Sequence, residues 1–189
     1  ANLIYDFGSS EEAARRFRSP LALPLMDLKL EKEALLLAHD VPPGQVDTFH
    51  FQELPAHDVQ PELTPAMKAV CDAINYIATQ TDLVPVGMAI GPFSLMTKLM
   101  ADPITPVFLA GTGVSGEEES EVALLEQSLE VSCRTIQTYL EAQMHAGARA
   151  IIVCEPAANK VYFSPNQLSE SYEIFDRYVM RYNQAIREQ

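Results

Sequence analysis

Two stretches of this sequence place residues able to act on a small ligand directly after an apolar run of strand length. Val84-Pro85-Val86-Gly87-Met88-Ala89-Ile90 ends in Gly91-Pro92-Phe93-Ser94, with Thr97 and Lys98 within the next turn. Ala150-Ile151-Ile152-Val153-Cys154 ends in Glu155-Pro156. A helix starting near Ser94 would offer backbone amides near Ser94 and Thr97 to an anion, and Lys98 would add a cation one turn inside it. Glu155 supplies a carboxylate suited to accept a hydrogen bond or orient a base. Asp27, at the end of Pro20-Leu21-Ala22-Leu23-Pro24-Leu25-Met26-Asp27, is a third carboxylate at a possible strand end. The expected site is therefore Lys98 and Glu155 as catalytic groups, with Gly91, Pro92, Phe93, Ser94, Thr97 and Asp27 binding ligand. Each has a plainer reading: Lys98 as a solvated lysine, Asp27 as the N-cap of a following helix.

A metal is not expected. His39, His50 and His57 do not have the spacing of a ligand set, and pairs such as His50 with Glu53 or His57 with Asp58 fall short of the three or four convergent ligands a metal needs. Cys71, Cys133 and Cys154 are odd in number and widely separated, which reads as buried free thiols.

The elements that must position these residues follow from hydrophobic patterning. The runs at 84–90 and 149–154 lack alternation and are bounded by turn residues, as expected of parallel strands buried on both faces. Gly91-Pro92 breaks the first strand, and Ser94 is the expected N-cap of a helix burying Leu95, Leu99 and Met100. Pro20 to Asp27 reads as a first strand, with a helix over Leu30 to Ala38, and Asp47 to Glu53 as a weak short strand. Ser9-Ser10-Glu11-Glu12 opens a short outer helix whose Arg15 and Arg16 are solvated. Leu63, Met67, Val70, Ile74 and Ile77 predict an amphipathic helix, as do Leu125, Leu129, Cys133, Ile136, Leu140 and Met144, closed by Gly147. Between Ala101 and Glu119, three glycines and two prolines predict a long irregular excursion, a lid or a mobile loop. Leu168, Tyr172, Phe175, Val179, Tyr182 and Ile186 predict one last helix. Strands alternating with helices give an α/β fold with a parallel sheet.

The 189 residues are expected to form a single domain, 1–189, about half apolar and without a long hydrophobic span. A soluble, cytoplasmic chain without a secretory leader, with no membrane and no nucleic-acid partner, is the expectation. A formal net charge of −13 argues against a phosphate backbone as partner, because nucleic-acid binders gather Lys and Arg.

Gly91-Pro92-Phe93-Ser94-Leu95-Met96-Thr97-Lys98-Leu99-Met100 resembles the signature turn of the uroporphyrinogen decarboxylase superfamily. That superfamily includes cobalamin-linked methyltransferases, such as the methylcobamide:coenzyme M enzymes. A second block, from Tyr139 through Cys154-Glu155-Pro156 to Asn159 and then Phe163-Ser164-Pro165, resembles the next conserved segment in the correct order. The resemblance covers roughly residues 60 to 189 well and the first 59 loosely. It implies a (β/α)8 barrel, which usually needs about 250 residues or more, so this chain would be its amino-terminal half. In the decarboxylases the turn reads Ala-Pro-Trp-Thr-Leu-Met-Thr-Tyr, and the tyrosine falls on Lys98. The arginine-rich decarboxylase motif Arg-Gln-Ala-Gly-Arg is absent too, so the resemblance is closer to the methyltransferase branch. That branch implies zinc, held by a later His-x-Cys element that this chain lacks, and a corrinoid partner, both for a complete barrel only. The alternatives are a catalytically silent module binding a ligand or partner and, after it, a tetrapyrrole decarboxylase. A half barrel further implies a homodimer, or pairing with the missing carboxyl-terminal half, to cover its open sheet edge.

Overall fold

The computed structural model describes residues 7–188. Its sheet has three parallel strands in the order β1 (Leu21–Ala22), β2 (Val84–Ile90) and β3 (Ala150–Cys154). The helices are α1 (Phe7–Phe17), α2 (Leu30–Ala38), α3 (Pro65–Gln80), α4 (Pro92–Leu99), α5 (Ile104–Gly111), α6 (Ser120–His145), α7 (Pro165–Glu170), α8 (Glu173–Phe175) and α9 (Arg181–Arg187). A 3-10 turn covers Pro43–Gln45, and a π-helical turn, Asp176–Met180, joins α8 to α9. Parallel strands alternating with helices make this part of a (β/α)8-type barrel.

The long strand and its partner have the predicted bounds to within one residue. Val86 to Ile90 run in register with Ala150 to Cys154. Apolar side chains from both faces enter the core: Val86, Ala89 and Ile90 are all buried. One core cluster packs α2, α3 and the middle of α6 against β2. A second packs Phe93 and Met96 of α4 against α5, the start of α6 and Phe163, Ile174, Tyr178 and Val179.

Four expectations need correction. The first strand is two residues long, not eight, because Pro20 and Pro24 cannot donate to a ladder. Residues 47–53 form no strand; Phe49 and Phe51 pack edge to face instead, and the Phe51 N–H donates to the Leu99 carbonyl at 2.9 Å. The excursion from 101 to 119 holds a helix, α5, started by Asp102, whose carboxylate accepts from the Ile104 and Thr105 N–H groups at 2.9 and 3.2 Å. The last helix is interrupted at Ser171, which is extended and whose hydroxyl accepts from the Glu173 N–H. Gly147 closes the helix as expected, at φ +109, where L side chains are strained.

The shortness of β1 leaves a problem along one edge of β2. Backbone groups of alternate residues in a parallel strand point to opposite neighbours. Val84 donates to Pro20, while the Pro85 carbonyl and the Gly91 N–H bond to Arg149 and Cys154 on the β3 side. Met88 and Ile90 therefore point toward β1, which has already ended. Two side chains from helices replace the missing ladder. Gln143 of α6 accepts from the Met88 N–H at 2.8 Å and donates to the Met88 carbonyl at 3.0 Å. Glu31 of α2 accepts from the Ile90 N–H at 3.1 Å. Gly87 makes room for the amide, since a Cβ there would lie 2.6 Å from Gln143 Oε1. Gln143→Ala removes both partners of Met88 and is expected to cost about 2 to 3 kcal/mol in urea unfolding; a loss under about 0.5 kcal/mol would show that water replaces the amide without penalty.

Candidate functional site

The site is built where β2 turns into α4. Gly91 is the N-cap and Pro92 the first helical residue, a position proline suits because it has no N–H to lose. Ser94, expected as the cap, lies three residues into the helix. Glu155 takes the capping role instead: its Oε1 accepts from the Phe93 N–H at 3.1 Å and its Oε2 from the Ser94 N–H at 2.8 Å. The anion the helix N-terminus favours is thus the protein's own carboxylate. Gly91 leaves room for this cap, because a Cβ there would overlap the Glu155 carboxylate. The Ser94 hydroxyl accepts from the Ala157 N–H at 3.0 Å, tying the loop after β3 to the same turn.

Gly91, Pro92, Phe93, Ser94, Thr97, Lys98 and Glu155 are therefore brought together at the carboxyl ends of β2 and β3. A cleft of about 420 Å³ opens there, lined by Leu28, Ser94, Thr97, Lys98, Asn159 and Tyr162 among others. Gly91, Pro92, Phe93 and Glu155 do not line it; Phe93 is fully buried, stacked on Phe163 at 4.8 Å and edge-on to Tyr162 of the lining. Asn159 shapes the rim by accepting from the Val161 N–H at 2.8 Å. None of the ion pairs among the described residues involves Lys98.

Asp27 does not line this cleft. Its carboxylate accepts from the Lys29 N–H at 3.0 Å, the turn preceding α2, and it borders a small separate cavity with Glu31. His39 packs on Phe51 and His57 contacts Arg134, so the histidines stay apart. Among the described residues no three His, Cys, Asp or Glu side chains converge on a point that would hold a metal. The cysteines are free; Cys133 is buried, Cys71 and Cys154 half-buried. Burial raises the thiols of Cys71 and Cys133 to about 11.

Glu31 was not singled out by its sequence context. Its signal is position: it precedes the buried Ala34 and Leu35 by three and four residues, so it falls on the apolar face of α2. Only 2% exposed, it has its carboxyl pushed up to about 7, chiefly by burial. Burial also raises Glu155, against the opposing hydrogen bonds from Ser94, Phe93 and Asn183.

The family model of Uroporphyrinogen decarboxylase (URO-D) matches residues 42–189, more than three quarters of the chain. The chain belongs to the uroporphyrinogen decarboxylase family. No curated protein and no solved structure matches it. No helix among the described residues is long and apolar enough to cross a membrane.

Two outcomes follow from the paired carboxylates. Gly91→Ala should destabilise by about 2 to 4 kcal/mol, because the new methyl displaces the Glu155 cap and strands two N–H groups; thermal unfolding reads this directly. Glu31 and Glu155 both hold protons more tightly folded than unfolded, so the stability they contribute is present at low pH and lost as pH rises. For Glu31 the window runs from about 4.5 to about 7, a loss of about 3 kcal/mol at most. Glu31→Gln keeps an acceptor for Ile90 and cannot ionise, so its unfolding free energy should fall less than the wild type's between pH 5 and 8. Parallel pH profiles would contradict this.

Proposed function

We propose that this chain is the amino-terminal part of a methyltransferase-type protein of its family, acting in methyl transfer linked to a corrinoid, and that the Lys98 cleft takes the anionic end of a small-molecule ligand. The observation that carries the reading is the position of Lys98: a cation in no ion pair among the described residues, in a cleft at the carboxyl ends of parallel strands, where barrels of this type bind ligands. Lysine at the tyrosine position of the decarboxylase pattern supports an acidic ligand smaller than a tetrapyrrole. In this reading Lys98 attracts and orients the anion, Ser94 and Thr97 line its approach, and Glu155 fixes α4 so that Lys98 keeps its place. The zinc that the methyltransferase branch implies does not fit the residues described here, so no step is assigned to it.

A second reading, a catalytically silent binding module, is favoured by Glu155 itself. Both of its oxygens are occupied by backbone N–H groups, which leaves it poorly placed to act as a base. We further propose that the outer edge of β3, which pairs with β2 alone among the described residues, is covered by a second copy of the chain or by a carboxyl-terminal half of the barrel. Sedimentation equilibrium over a dilution series is expected to show self-association, and a compact monomer at every concentration, resistant to protease, would show that the chain needs neither.

Calorimetric titration with coenzyme M tests the ligand assignment. The wild type is expected to bind, and Lys98→Met to bind at least about tenfold more weakly. Equal binding by both proteins would remove Lys98 from the site. Binding of inorganic phosphate without binding of coenzyme M would keep the anion cleft and reject the methyltransferase reading.

A further inference from the structure

The small cavity beside Asp27 contains a carboxyl whose hydrogen bonding the fold leaves half finished. Glu31 is 2% exposed; its Oε1 accepts from the Ile90 N–H, while its Oε2 is buried with no partner among the described residues. A buried oxygen of this kind is costly unless a donor reaches it. The cavity exists because β1 ends at Ala22: the chain from Pro24 to Asp27 runs on outside the sheet and leaves a gap beside Met88 and Ile90. Its volume is about 10 Å³, room for about one water. On its walls α3 places Val70, α6 Tyr139, and β2 Met88 and Ile90. Asp27 and Glu31 supply the carboxyl groups, and no Lys, Arg or His among the described residues borders the space. The nearby cations are engaged elsewhere: Lys32 of α2 is directed to the Asp47 carbonyl at 3.4 Å, and Lys98 of α4 lines the cleft.

Two carboxyl groups on one water-sized space without a cation cannot both carry charge at low cost. One of them must hold a proton, and burial selects Glu31. Asp27 stands on the turn before α2, where its Oδ1 takes the Lys29 N–H at 3.0 Å. We propose that Glu31 and Asp27 hold one water between them and share one proton through it: the Glu31 carboxyl donates to the water, and the water donates to the Asp27 carboxylate. The water gives Oε2 the partner that the protein does not, and it joins the stray Pro24–Asp27 segment to the edge of β2. On ionisation the proton leaves to solvent, and no bond between heavy atoms changes. The pair is thus a proton-exchanging site at the carboxyl ends of β1 and β2, next to the cleft along the chain, since Asp27 borders the cavity and Leu28 the cleft. It stands whether or not Lys98 binds an anion.

The experiment pairs a 13C NMR titration of the Glu31 carboxyl, identified by its loss in Glu31→Gln, with a crystal structure grown below neutral pH. The wild-type midpoint is expected near neutrality. Asp27→Asn keeps an acceptor for the Lys29 N–H but removes the facing charge, so the Glu31 midpoint should fall by about half a pH unit or more; Asp27→Ser gives the same reading if the asparagine variant folds poorly. A midpoint in the ordinary carboxylate range, or one indifferent to the charge at 27, would overturn the shared proton. The crystal structure is expected to show one water within hydrogen-bond distance of both Glu31 Oε2 and the Asp27 carboxylate. A dry cavity, or a direct contact between the two carboxyl groups, would overturn the bridging water. A guest that comes and goes with sodium or potassium in the buffer would be a cation, and would overturn the proposal as well.

Discussion

The backbone between Ile90 and Ser94 must turn from strand to helix inside the core, and that constraint organises the rest of the molecule. Such a turn presents N–H groups with no ladder or helical partner, and buried donors need acceptors. Glu31 takes Ile90, the Cys154 carbonyl takes Gly91, and Glu155 takes Phe93 and Ser94. A carboxylate suits this work because it only accepts and can receive two N–H groups at once. It comes from outside the segment in both cases, so the turn holds its shape only when α2 and β3 are docked.

Burying two carboxylates is costly, and their raised proton affinities register that cost. The compensation differs between them. Glu155 meets two amides at a helix N-terminus, where the helix dipole also favours negative charge. Glu31 meets one amide and leaves an oxygen unpartnered. The more weakly satisfied of the two is the one whose carboxyl is pushed up to about 7.

The parts of the fold legible in the sequence were those set by burial on both faces. Val84 to Ile90 and Ala150 to Cys154 are continuous apolar runs, and no neighbouring residue can change that. Gly147 was legible because a helix end at positive φ calls for glycine. What failed depended on partners remote in sequence. Leu23 to Asp27 are compatible with a strand, but the prolines around Leu21 deny them a ladder. Pro103 and Gly111 suggest irregularity until Asp102 is seen capping the helix between them. The neighbourhood of the site was legible from the rule that parallel strands present their carboxyl ends to ligands, yet its wiring was not: that Glu155 caps α4 requires knowing that β3 lies beside β2.

Lys98 gains weight from the charge of the chain around it. With 26 acidic against 13 basic residues, the protein's overall field repels anions, so long-range attraction does not bring them to the cleft. Whatever affinity for an anion the cleft has must arise within a few ångströms, where a fixed cation beside low-dielectric walls outweighs charges screened by salt beyond about 8 Å. The clamp on the 90–94 turn makes that possible: it fixes the start of α4, and Lys98 sits in the last turn of the same eight-residue helix. Glu155 thus sets where Lys98 stands, through the start it gives the helix that carries it.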